Sequence, residues 1–221
     1  MTGSSTNPIT AAVFDVDGTL LDTREFIFTA YEATLKKLGY EIPDRLTIAK
    51  QIGRSLHDCY VAFAPQGDID ALCEAHHIFQ NTPEMIGLIT PYPGALAMLQ
   101  TLKDSGIKLA VFSSRKLTLV ASLEQANIAS FFEVIIQGDE VANHKPHPEG
   151  LFKALGGLEV LPNQAVMIGD AAVDILAGKA ANVALTIGIT HGFGTPEELA
   201  EAHPDHTVTE LSRIAPLLLG E

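Results

Sequence analysis

Ala12-Val13-Phe14-Asp15-Val16-Asp17-Gly18-Thr19 is the stretch on which the reading of this chain turns. An apolar run stops at two carboxylates two residues apart, followed by a glycine and a hydroxyl. Burying one charge at a strand end is expensive, and two like charges cost more. Such a pair persists most easily where a cation, or the counter-charges that accompany an anionic substrate, neutralise it. Residues two apart in an extended chain point to the same side, so Asp15 and Asp17 can address one point in space. Gly18 then lets the chain turn with few steric limits. The same residues also suit a plain strand closed by an Asp-Gly turn.

The remaining composition narrows the field. With 221 residues, 47% of them hydrophobic, the chain can build one large domain or a core plus an insert. A formal net charge of -13 argues against nucleic acid or an anionic membrane as partner. It leaves open a small anionic substrate, because local charge decides that. Cys59 and Cys73 read as free thiols of a reducing compartment. Residues 1–8 are polar, with no basic region and no apolar stretch of signal-peptide length. A cytoplasmic protein, monomer or homodimer, is expected.

Around the opening motif the chain alternates. Residues 10–14 read as a buried strand. Asp22 reads as a helix N-cap, with Glu25 completing a capping box. Phe26, Ala30, Tyr31, Leu35 and Leu38 then recur at helical spacing until Gly39. From 44 to about 90 the pattern stays helical, with no strand. Beyond Pro91, helices at 93–105, 117–125, 148–155 and 170–181 alternate with strands at 108–112, 133–136, 165–168 and 183–187. Thr195-Pro196-Glu197-Glu198 opens another helix. Alternation of this kind predicts an α/β fold, a Rossmann-like parallel sheet covered on both faces. The isolated first strand implies an all-helical insert. The expected division is a core of residues 1–20 and 91–221 with a helical cap at 21–90.

Ligands of open parallel sheets bind beyond the C-terminal strand ends. There the sequence places Asp15 and Asp17, then Ser113-Ser114-Arg115, then Lys145-Pro146 in a following loop, then Gly169-Asp170 with Asp174 one helical turn on. Each has an ordinary alternative: a helix-capping serine, a solvated lysine, an N-cap aspartate. Their arrival in order at matching ends of one sheet favours a shared site.

This constellation resembles the haloacid dehalogenase superfamily of phosphatases, in four motifs spread over nearly the whole chain. The insertion point resembles the helical cap of its phosphoglycolate-phosphatase-like subgroup. Ala171 departs from the serine often found after the fourth motif's Gly-Asp. The resemblance implies Asp15 as nucleophile forming an aspartyl-phosphate and Asp17 as acid, then base. It implies Lys145 and Ser113 on the phosphoryl oxygens, with Gly18, Thr19 and Ser114 lining the substrate. Mg²⁺ would be held by Asp15, Asp170, the Asp17 carbonyl and Asp174. The expected substrate is a small phosphorylated metabolite such as phosphoglycolate, with inorganic pyrophosphate as alternative.

The break Ile52-Gly53-Arg54-Ser55 in the helical insert is similar to a cap loop that faces the site in related enzymes. Arg54 is therefore a candidate for an anionic leaving group, with Arg24 and Arg115 as weaker ones. A phosphomutase would need sugar-phosphate groups beyond Lys50 and His57. A phosphonate hydrolase would need Lys50 as Schiff-base lysine. A dehalogenase has no use for an acid at Asp17. A non-enzymatic, metal-dependent phospho-switch would lack both Asp17 and the insert. His76-His77 and the His203/His206 pair lack a third zinc ligand, and His191 reads as part of a turn.

Overall fold

The apolar run of the opening motif forms β1 (Ala11–Phe14), whose four residues have no solvent exposure. The structure, a computed structural model, describes residues 8–52 and 55–220. β1 lies inside a six-stranded, all-parallel sheet, between β4 (Lys108–Phe112) and β6 (Ala165–Gly169). Outside β4 lies β5 (Val134–Ile136), and outside β6 lie β7 (Leu185–Ile189) and then β8 (His206–Val208). The chain builds outward from β1 on one side, then returns to its other flank. This is the reversal of strand order at which parallel sheets open a crevice.

The period-two alternation of the strands sorts their side chains onto two cores. Ala12, Phe14, Leu109, Val111, Val166 and Ile168 face one core, with α6 (Ala95–Asp104), α7 (Leu119–Gln125) and α11 (Ile214–Leu219) packed over it. Ala11, Val13, Ala110, Phe112, Ala165 and Met167 face the other, under α8 (Glu149–Leu158) and the end of α9 (Ala172–Ala181). Each fully buried side chain such as Phe14 contributes about 2–3 kcal/mol of transfer free energy. That burial on both faces is why these strands read as continuous apolar runs.

Between β1 and α6 run, among the described residues, the helices α1 (Arg24–Leu38), α2 (Arg45–Ala49), α3 (Leu56–Phe63), α4 (Ile69–Gln80) and α5 (Pro83–Ile86). Tyr31, Leu35, Ile48, Cys59, Tyr60 and Leu72 make a separate apolar cluster among them. His76 belongs to that cluster. Its Nδ1 shares a 2.6 Å hydrogen bond with the Tyr60 hydroxyl, and the Gln80 amide lies 2.7 Å from its Nε2. Burial pushes its pKa down to about 3. It is a satisfied core histidine, which agrees with the absence of a zinc pattern in the sequence. Cys59 and Cys73 form no disulfide with each other. Among the described residues no helix is long and apolar enough to cross a membrane.

Several boundaries correct the sequence reading. Asp22 does not cap α1. It sits in a two-residue strand, β2 (Leu21–Asp22), and the N-cap is Thr23. Its carboxylate accepts the Arg24 N–H at 3.1 Å, while Glu25 pairs with Arg45 instead of closing a box. The segment expected to hold no strand ends in β3 (Thr90–Pro91), antiparallel to β2. Asp170 precedes α9 and does not begin it. Gly39 closes α1 as expected, at φ +78°. Thr195 caps α10 (Pro196–Glu201) by accepting the Glu198 N–H.

Candidate active site

β1, β4 and β6 end side by side, and the residue after each is Asp15, Ser113 or Asp170. Asp15, Asp170 and Asp174, all buried, each place a carboxylate oxygen within 4.8 Å of the others. Lys145 enters this cluster from the loop before α8. Its ammonium donates to Asp15 Oδ1 at 2.5 Å, Asp174 Oδ1 at 2.6 Å and the Phe112 carbonyl at 3.2 Å. Three carboxylates against one ammonium leave two negative charges uncompensated in a buried space.

The titration behaviour reflects that imbalance. Burial is the main cause lifting Asp15 from 3.8 to about 7, helped by Asp174 and Asp170 and opposed by Lys145. Burial, with repulsion from Asp174, lifts Asp170 to about 6. Burial works against the Lys145 ammonium, but Asp15 and Asp174 hold its pKa above the ordinary value.

The surrounding loops fit closely onto these groups. Gly18 turns at φ +83°, where a Cβ would stand 2.4 Å from Asp170 Oδ2. Glycine is thus needed there for both its backbone and its lack of a side chain. Thr19 donates from its hydroxyl to Asp170 Oδ1 at 2.9 Å. The loop after β7 packs on the opposite side, with the Phe193 N–H donating to Asp170 Oδ2 at 2.6 Å. His191 is more than a turn residue. Its ring stacks on Tyr92 with centroids 3.8 Å apart, and its Nε2 lies 3.0 Å from the Thr19 carbonyl.

Asp17 faces a different partner. Arg115 forks onto it, Nε donating to Oδ2 at 3.0 Å and one terminal nitrogen donating to Oδ1. Ser113 is buried, and its hydroxyl accepts the Arg115 N–H at 3.1 Å. Ser114 is exposed at the same rim. Arg24 is committed elsewhere: it donates to the His191 and Gly192 carbonyls at 2.6 and 2.8 Å and to the Tyr92 hydroxyl at 2.9 Å. Arg54 lies outside the described residues.

The profile of the haloacid dehalogenase-like hydrolase family matches residues 12–187. The chain belongs to that family. Pyrophosphatase PpaX of Listeria welshimeri is 34% identical over 224 residues, covering 98% of this chain and 99% of the relative. The solved structure of a haloacid dehalogenase-like family hydrolase from Streptococcus pneumoniae superposes with TM-score 0.85 at 26% identity, over 96% of this chain and 99% of that one. A structure described as a predicted phosphoglycolate phosphatase from Haemophilus somnus shares the fold with TM-score 0.87 at 21% identity, over 96% and 98% of the two chains. The chain is an enzyme of this hydrolase family's phosphatase kind, as its four motifs led one to expect.

In a haloacid dehalogenase-like hydrolase the carboxylate cluster invites a divalent ion, and the residues present fit one. The donors are all oxygen, as hard cations prefer. The two uncompensated charges match one divalent cation. Two contributors to this geometry were missed in the sequence. Glu149 accepts the Ala142 and Asn143 N–H groups at 3.0 Å each and so fixes the loop that carries Lys145. Gly192 and Gly194 let the backbone close on Asp170, where added Cβ atoms would stand 2.1 Å from Oδ2 and 2.2 Å from the carbonyl. The glycines of Gly192-Phe193-Gly194 were the available signal.

Proposed function

We propose that the protein is a Mg²⁺-dependent phosphatase that works through an aspartyl-phosphate, with inorganic pyrophosphate as its favoured substrate class and phosphoglycolate second. The observation carrying the reading is the buried set Asp15, Asp170 and Asp174 bridged by Lys145 at the crevice of the parallel sheet. Pyrophosphate is placed ahead because the 34% identical relative named as a pyrophosphatase matches over almost its entire length. The structural likeness to the phosphoglycolate phosphatase speaks for the fold alone.

In this reading an Asp15 oxygen attacks phosphorus, and the bond from phosphorus to the leaving oxygen breaks as Asp17 gives that oxygen a proton. Water then attacks the aspartyl-phosphate, Asp17 takes its proton, and phosphate departs with Asp15 restored. Lys145 and the Ser113 hydroxyl hold the transferring oxygens, and positioning and charge supply most of the rate. Asp15, Asp170, Asp174 and the Asp17 carbonyl would hold Mg²⁺, which when bound lowers the repulsion between a carboxylate and a phosphate anion. Thr19 serves Asp170 more directly than it serves substrate. The helices of residues 21–90 act as a cap over this crevice, with the β2–β3 ribbon at its base.

The test is phosphate release from pyrophosphate, phosphoglycolate, sugar phosphates and nucleotides, with Mg²⁺ and with EDTA. Release from pyrophosphate above the others, dependent on Mg²⁺ and absent in Asp15→Asn, is expected. Release by Asp15→Asn at the wild-type rate would remove the nucleophile assignment.

A further inference from the structure

Arg115 is the cation that this mechanism leaves without a task. It lies two residues beyond Ser113, at the end of β4, with a side chain only 10% exposed. Two of its nitrogens hold both oxygens of Asp17 and the third donates to Ser122 Oγ at 2.7 Å. The Phe26 ring lies 5.0 Å from the guanidinium carbon. A largely desolvated ion pair such as this one, with Asp17 still 21% exposed, is a poor device for stability, because removing the charges from water offsets much of their attraction. Its place at the mouth of a phosphate site calls for another explanation.

We propose that Arg115 is the leaving-group receptor, exchanging Asp17 for the anionic oxygens of the departing group. The proposal deepens the phosphatase reading and rests on it. To meet the leaving oxygen, Asp17 must give up at least one of its two guanidinium bonds. A leaving group with anionic oxygens of its own, a phosphate or a carboxylate, offers the same planar fork an equivalent bidentate partner. The exchange then loses no ionic contact. A neutral alcohol offers nothing in return, so Asp17 stays clamped or Arg115 is left buried without a partner. Arg115 thus acts as a latch that selects substrates charged beyond the scissile bond. Arg24 is committed away from Asp17, its terminal nitrogens donating to the Tyr92 hydroxyl and to the His191 and Gly192 carbonyls.

The experiment measures kcat/KM of the full chain with Mg²⁺ on pyrophosphate, phosphoglycolate and phenyl phosphate, in wild type, Arg115→Met and Arg115→Lys. The ratio of pyrophosphate to phenyl phosphate is expected to fall about a hundredfold in Arg115→Met, the size of loss seen when one partner of a buried charge pair is removed. Phosphoglycolate should follow pyrophosphate, and Arg115→Lys, which keeps the charge and loses the fork, should fall between. If Arg115→Met does not fold by thermal melt, the Arg115→Lys ratio decides alone, with a drop of about tenfold expected. Equal losses on pyrophosphate and phenyl phosphate would overturn the proposal and make Arg115 a positioning residue for Asp17. An unchanged ratio with unchanged rates would overturn it as well. Wild-type protein that releases phosphate from none of the three would instead sink the phosphatase reading itself.

Discussion

Replacing the nucleophile should make the metal-free protein more stable, by an amount that depends on pH. Asp15 is lifted from 3.8 to about 7, chiefly by burial, and the opposing effect of Lys145 is already inside that figure. Each pKa unit is worth about 1.4 kcal/mol, so keeping Asp15 ionised in the fold costs about 4 kcal/mol above pH 7. Asp170 shares the space, so the two costs overlap, and about 2–4 kcal/mol brackets what Asp15→Asn regains. The sign runs against that of an ordinary surface aspartate. A raised carboxyl carries its full penalty above the folded-state pKa and sheds about 1.4 kcal/mol per pH unit below it, until none remains near the unfolded value. By pH 5.5 about half the gain should be left.

The assay is thermal unfolding of wild type and Asp15→Asn in EDTA at pH 8, 7, 6 and 5.5. At about 2–4 °C per kcal/mol for a chain of this size, the variant should melt about 5–10 °C higher at pH 8 and about half that at pH 5.5. Taking the difference between the two proteins cancels the histidines and other groups that titrate in the same window. Saturating Mg²⁺ should reverse the order, because the ion stabilises whichever fold binds it better and the variant has lost a carboxylate ligand. A variant that melts lower than wild type at pH 8 in EDTA, or a gap that ignores pH, would refute the account of a strained acidic cluster.

Three further outcomes follow from the same geometry. Lys145→Met strips from Asp15 and Asp174 the ammonium that pairs with both, so metal-free stability at pH 8 should drop by about 3 kcal/mol in urea, and phosphate release should fall at least a hundredfold; a stability change under about 0.5 kcal/mol would contradict the pairing. Gly192→Ala forces a methyl onto Asp170, so a Mg²⁺ titration of activity should shift to at least about tenfold higher metal while the core stays folded; an unmoved titration would show that the loop after β7 does not set Asp170. On the proposed reading protons would compete with metal for Asp15 and Asp170, at about 7 and about 6. Mg²⁺ affinity by calorimetry should therefore fall about tenfold per pH unit between 7 and 6 and more steeply below, and a flat profile from pH 8 to 5.5 would exclude these carboxylates as ligands.

What was legible in the sequence is what local pattern can carry. Strands buried on both faces leave unbroken apolar runs, so β1, β4 and β6 and the polar residues at their ends stood out. The ribbon of β2 and β3 escaped because two residues a side make no period. β8 escaped because its outer edge is exposed and its first residues, His206 and Thr207, are polar. The largest gaps concern partners far apart in the chain. Arg115 meets Asp17 across 98 positions and Phe193 meets Asp170 across 23. No spacing rule links such residues, so Arg115 ranked no higher than Arg24, although one forks onto a site carboxylate and the other straps α1 to the loop after β7. Asp22 was misassigned for a local reason: an aspartate two residues before a helix can accept the first helical N–H from a strand as readily as from a cap.

The charges also fix an order of events. A protein of net charge -13 must recognise an anion, yet both cations nearest the nucleophile are already paired with acids, Lys145 with Asp15 and Asp174, Arg115 with Asp17. A phosphate entering this crevice alone would face two uncompensated negative charges and could recruit neither cation without taking it from a carboxylate, buried Asp15 and Asp174 for Lys145 and half-buried Asp17 for Arg115. Asp15, Asp170 and Asp174 would together hold a divalent ion, and its charge would leave Lys145 able to turn toward substrate oxygens. Only then does the exchange at Arg115 cost nothing. On the proposed reading, the acidic character of the cluster would make substrate binding conditional on metal, since Lys145 and Arg115 are both paired with acids until an ion is in place.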